Sequence, residues 1–143
     1  MQKKKKTNRK TWTGKFVVGE ESMLSFGRPA TFVRALDVPH RAHCVADEVS
    51  VVRTSSGGEA ILSPDTPVSW ERDGEGRLIP HSVKSAPYKG VLMQRKRNGK
   101  PGLESASVAS YSTPRKMCSL SVSSNEPYIF VDGVAVVMSD GES

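Results

Sequence analysis

Between residues 117 and 137 the chain reads MCSLSVSSNEPYIFVDGVAVV, and this stretch restricts the possible fold more than any other. Cys118, Leu120 and Val122 alternate with Ser119, Ser121 and Ser123, a period of two that belongs to a strand with one apolar and one wet face. Asp132 and Gly133 then stand between two apolar runs. Asp-Gly is among the strongest signals for a two-residue type I′ turn, because both central residues need positive φ. The spacing predicts a terminal hairpin, the alternative being one continuous buried strand through Gly133.

The rest of the chain carries the same bias. Valine occurs 17 times and serine 19, while leucine occurs seven times and isoleucine three, which suits pleated, half-buried strands better than amphipathic helices. Nine prolines and 12 glycines interrupt every helical window. Strands are expected at Lys15 to Val18, Ala30 to Val38, Val45 to Thr54, Glu59 to Leu62 and Pro67 to Trp70. The SSGG at Ser55 to Gly58 reads as a hairpin turn and ERDGEGR as another reversal. GVLMQR, from Gly90, leads through RKRNGKPG to a further strand at Ser105 to Tyr111. The expected fold is all-β, an antiparallel sandwich of jelly-roll type or a barrel.

A chain of 143 residues supports one core and not two. The reading is a disordered basic arm over 1–12 and a single β domain over 13–143. No apolar stretch approaches the roughly 20 residues of a membrane span, so no membrane role is expected. The basic start runs into TNRKTWTG and not into an apolar segment, so no secretory signal is expected. In a reducing compartment, Cys44 and Cys118 are expected to be buried small hydrophobes and not a disulfide.

Charge is divided along the chain. Lys3, Lys4, Lys5, Lys6, Arg9 and Lys10 supply six positive charges with no acidic residue among them, equal to the net +6 of the whole protein. The remainder is neutral overall but segregated, with eight basic residues and one acid, Glu104, between Lys84 and Lys116 and only acids beyond. An arm of this kind cannot bury itself; fully extended it reaches about 34 Å. Its natural partner is a polyanion, and six contacts to single-stranded nucleic acid would give a log–log salt slope of about −4. Arg95, Lys96, Arg97 and Lys100 either extend that surface or form an ordinary solvated loop. Few of the nine aromatics accompany these basic residues, which favours phosphate contacts over base readout. Trp12 is expected to pack the root of the arm against the body.

Candidate chemistry is sparse. PHRAHC brings His40, His43 and Cys44 together, but a closed zinc site needs four ligands, and Cys118 or His81 would have to arrive by folding. A Cys44–His nucleophile pair needs an orienting third group. Asp73 to Arg77, DGEGR, reads as a plain turn and not a cation loop. No phosphate loop, dinucleotide fingerprint, nucleophile elbow or His-Glu-x-x-His is present. The residues therefore predict no catalytic residue, no metal and no cofactor, and a protein that is not an enzyme.

The arm MQKKKKTNRK, followed by the strand-like VADEVSVVRT, KMCSLSVSS and PYIFVDGVAVV, resembles the layout of small jelly-roll coat proteins of icosahedral plant RNA viruses, the satellite type in particular. That resemblance implies an arm that neutralises packaged RNA and a body that self-associates into a shell, and it places the protein in a virion. A neutral body that can meet copies of itself agrees with this. The alternative is a monomeric RNA-binding β-barrel of ribosomal or regulatory kind, cytoplasmic or nuclear, with the 95–100 loop as a second contact.

Overall fold

The computed structural model describes residues 11–26, 32–55, 57–86, 90–94 and 100–140. In chain order the strands are β1 (Trp12–Gly19), β2 (Met23–Ser25), β3 (Phe32–Arg34), β4 (Arg41–Ala46), β5 (Val49–Thr54), β6 (Glu59–Leu62) and β7 (Pro67–Val68). They continue as β8 (His81–Ser82), β9 (Val91–Gln94), β10 (Pro101–Glu104), β11 (Ala106–Tyr111), β12 (Arg115–Ser124), β13 (Tyr128–Val131), β14 (Val134–Val137) and β15 (Ser139–Asp140). Among the described residues there is no α-helix, only two single 3-10 turns, at Ala35–Asp37 and Val83–Ser85. The all-β expectation therefore holds.

Two antiparallel sheets form. In the first the order is β11-β5-β6-β1-β12-β4, with β15 added beside β1; in the second it is β10-β9-β14-β13-β2-β3, with β7 beside β14 and β8 beside β7. The period-two stretch is the spine of the first sheet. Along β12, Cys118, Leu120 and Val122 are buried while Ser121 and Ser123 face solvent, as the alternation requires. On one side β12 pairs with the whole of β1, from Trp12 opposite Ser124 to Gly19 opposite Met117.

The terminal hairpin is also as expected. Asp132 has φ of 48° and Gly133 φ of 90°, Val131 pairs with Val134, and both turn residues occupy the left-handed region that a type I′ turn needs. This turn docks on β2. The Asp132 backbone N–H donates to the Met23 carbonyl at 2.8 Å, and the Met23 N–H donates to Asp132 Oδ1 at 3.1 Å. Burial raises the Asp132 carboxyl above its ordinary range, and the hydrogen bonds from Met23 and Ser22 only partly offset that. The run YIFV does not alternate because both of its faces are covered. Ile129 and Val131 enter the main core with Val18, Leu62 and Leu120, whereas Phe130 packs on the other side with Leu92 and Ala135.

Three strand expectations are corrected. Of the run expected as one strand from Ala30 to Val38, residues 30 and 31 lie outside the described residues; the described part is strand only over β3 and then tightens into a 3-10 turn at Ala35–Asp37, its buried Ala35 tied by its N–H to the Ser22 carbonyl at 2.8 Å. Val45 to Thr54 is broken at Asp47 and Glu48. The ladder explains why: Ala46 pairs with Arg115 and Val49 with Tyr111, so three residues on one side face two on the other. An extra residue of this kind bends a ribbon sharply, and beyond it the chain leaves the β4 edge of the sheet and enters β5, between β11 and β6 toward the other edge. Finally, part of the connection after GVLMQR is itself a strand, since β9 pairs with β10, and β11 pairs instead with β5.

Candidate active site at the chain-end junction

The pairing pattern brings the two ends of the described chain together. Trp12 and Thr13 at the start of β1 lie opposite Ser124 and Ser123 of β12 on one side. On the other side they lie opposite Asp140 and Ser139 of β15. Trp12 is half-buried against the core, as its place at the root of the arm suggested. The last strand is held in line by the buried Met138, whose N–H donates to the Pro127 carbonyl at 2.8 Å.

Beside this junction runs a groove of about 340 Å³ lined by Thr11, Phe26, Ser123, Ser124, Asn125 and Glu126. The hairpin connection is shaped by Ser124, whose Oγ accepts the Glu126 backbone N–H at 3.0 Å. The groove thus combines three hydroxyls, a carboxamide and a carboxylate at the point where β1 begins. Such a set can supply a nucleophile, hydrogen-bond donors for a developing oxyanion and a proton acceptor. None of Thr11, Asn125, Glu126 or Ser139 is distinguished in the sequence, because the residues meet only through long-range pairing.

The residues singled out in the sequence lie elsewhere. Lys3, Lys4, Lys5, Lys6, Arg9, Lys10, Arg95, Lys96 and Arg97 fall outside the described residues. Lys100 is exposed immediately before β10. The PHRAHC cluster is split by strand geometry. His43 lies opposite Cys118 and Cys44 opposite Met117, so the two neighbours point to opposite faces. His40 takes part through its carbonyl, which accepts the Ser121 N–H at 3.0 Å. His81 stacks on Trp70 with ring centroids 4.3 Å apart, and its Nε2 lies 2.7 Å from Glu71 Oε2. Asp73 to Arg77 is a plain turn, with Asp73 Oδ1 accepting the N–H groups of Glu75 at 2.8 Å and Arg77 at 2.9 Å. Those bonds hold the Asp73 carboxyl below its ordinary range. No described helix is long and apolar enough to cross a membrane.

No family model matches the sequence, and no curated protein matches it either. Solved structures do match. The PabCDC21-1 intein superposes with a TM-score of 0.61 at 8% identity, over 86% of this chain and 98% of that one. A glutathione-linked, splice-inactive variant of the AceL NrdHF class 3 split intein gives 0.61 at 10% identity, over 88% and 99%. The gp41-1 intein gives 0.57 at 9% identity, over 87% and 98%.

The fold is therefore that of inteins, and the coat-protein resemblance is corrected. A basic arm ahead of a valine- and serine-rich body is a layout that unrelated all-β folds can share, and the strand pairing separates them where composition does not. The packaging function, the RNA-binding barrel held as its alternative and the capsid and jelly-roll descriptions are overturned by the same finding. So is the expectation of a protein that is not an enzyme, which took the lack of familiar motifs as evidence against chemistry. The polyanion and self-association expectations now rest on charge alone.

Proposed function

We propose that this chain is a self-processing domain that acts on its own backbone at the start of β1. The observation that carries the reading is the junction itself: in a fold shared with inteins, the first and last described strands lie side by side next to a groove rich in hydroxyls. The intein structures supply the precedent, and one of them is described as splice-inactive, which makes splicing the reference activity for this fold.

Thr11 is the nucleophile in this reading. Its hydroxyl oxygen attacks the carbonyl carbon of the preceding residue; a C–O bond forms, the C–N peptide bond breaks, and the hydroxyl proton passes to the freed Thr11 amine. Glu126 serves as the proton relay, and the Ser124 hydroxyl and Asn125 carboxamide donate to the oxyanion. Water then hydrolyses the ester and restores the Thr11 hydroxyl. Ser139, across β1, is a second hydroxyl that could take the acyl group in place of water.

Intact-mass measurement of the purified chain over time tests this. A product beginning at Thr11 is expected, faster with hydroxylamine, which cleaves the ester, and lost in Thr11→Ala. A wild-type chain that stays whole with and without hydroxylamine refutes the proposal.

A further inference from the structure

At the far end of β1, six residues and about 20 Å from Trp12, the ladder aligns another group of reactive side chains. Val18 of β1 lies opposite Cys118 of β12, and Cys118 lies opposite His43 of the edge strand β4. Glu20 follows directly on the end of β1. One ligand atom from each of Glu20, His43 and Cys118 falls within 4.8 Å of the other two, and His43 Nδ1 is 3.3 Å from Glu20 Oε2.

We infer that Glu20, His43 and Cys118 form a site for a borderline-soft divalent metal ion of the Zn²⁺ class, with its fourth position open to an exogenous ligand. Zinc bonds of about 2.0–2.3 Å place neighbouring ligands of a tetrahedron about 3.3–3.7 Å apart. The His43–Glu20 pair already has this spacing, so closing the site requires movements of about 1 Å or less by the Cys118 thiol and the carboxylate.

The donor set decides the metal class. One sulfur, one imidazole and one carboxylate match zinc or cobalt, whereas magnesium and calcium prefer oxygen donors alone. Position supports the assignment as well. Cys118 is fully buried, which keeps the soft ligand from competing solvent, while His43 is exposed on the sheet edge and leaves an approach for the ion. The adjoining groove, about 380 Å³, is lined also by Cys44, Val45 and Lys116. Lys116 makes that groove a basic approach, which suits an anionic exogenous ligand. This site is separate from the junction, and its occupancy does not depend on self-processing.

Cobalt titration of the chelator-treated full chain tests the inference. One Co²⁺ per chain is expected, with thiolate-to-metal charge-transfer absorption that Zn²⁺ displaces. Cys118→Ser should abolish that absorption and Cys44→Ser should leave it unchanged. His43→Gln, at an exposed position that leaves packing intact, should weaken Zn²⁺ binding by at least about 10-fold, since even supporting residues of metal sites cost that much. Absence of the charge-transfer band in the wild type, a band that follows Cys44, or His43→Gln binding at wild-type strength would each overturn the assignment. If Cys118→Ser loses its fold by circular dichroism, the His43→Gln and Cys44→Ser comparison decides the matter.

Discussion

Two glycines with similar backbone conformations provide a sharp test of how this fold is packed. Gly90 has φ of +112° and Gly133 φ of +90°, and an alanine at either must adopt a conformation that costs about 1–3 kcal/mol. Their surroundings differ. A Cβ on Gly90 would stand 1.9 Å from the backbone oxygen of Glu104 and 2.7 Å from its carbonyl carbon, whereas one on Gly133 would meet only the Met93 methyl at 3.2 Å. Ordinary contact begins near 3.4 Å, so Gly90→Ala must push the chain at Glu104 away by about 1.5 Å. Glu104 is the last rung of the β9–β10 ladder, opposite Val91. Losing that rung adds about 1–2 kcal/mol for its hydrogen bonds.

The expected cost of Gly90→Ala is therefore about 2–5 kcal/mol, against the strain alone, about 1–3 kcal/mol, for Gly133→Ala, whose methyl neighbour can rotate aside. Urea unfolding of both variants reads this as a shift in midpoint at unchanged slope. Since a domain this size has a stability of about 5–15 kcal/mol, Gly133→Ala should remain folded, and Gly90→Ala should either unfold at a clearly lower midpoint or be unfolded before urea is added. Equal destabilisation of the two, within about 0.5 kcal/mol, would refute the close approach of Gly90 to β10.

Three further outcomes follow from the core and the terminal hairpin. Asp132→Asn keeps an acceptor for the Met23 N–H and tolerates the positive φ of that turn, and it removes a carboxylate whose charged form burial disfavours. Because the folded pKa is raised, the wild type is favoured at low pH and loses that contribution as pH rises from the ordinary carboxylate range through the folded value. Unfolding measured between pH 3 and 7 (about the range set by carboxylate titration) should show the variant's advantage growing upward, and a difference that does not change with pH would contradict the burial argument. Leu120→Ala should cost about 2–5 kcal/mol because its side chain is fully enclosed, whereas Ser121→Ala on the wet face should fall within about 0.5 kcal/mol of wild type; comparable losses in denaturant would mean that the faces of β12 are misassigned. Phe130→Ala should also cost about 3–5 kcal/mol, in keeping with a second covered face on β13, and a loss under about 1 kcal/mol would leave that face without a core.

Local features were legible to the extent that their physics is local. Residues 118 to 123 specify their own faces because successive side chains on a strand point to opposite sides. Asp132-Gly133 specifies its own turn because few residue pairs accept two positive φ angles. The break at Asp47 and Glu48 was hidden because the extra residue that causes it lies on the partner, between Tyr111 and Arg115. Basic charge was legible as charge, but it carries no information on fold, and it directed attention to an arm instead of to the groove at Thr11.

From its amino acids alone, then, this protein was committed to antiparallel strands, to one face of β12 in the core and to a tight final hairpin, since each follows from conformational preferences of residues near one another in the chain. Tertiary structure alone decided which strands became neighbours, and with that the intein-like fold, the meeting of β1 with β15 and the convergence of Glu20, His43 and Cys118. Alternation tells a strand which side to bury but not against what. Contacts such as that between Met23 and Asp132, 109 residues apart, are selected by how well whole surfaces pack, and no short stretch of sequence records that choice.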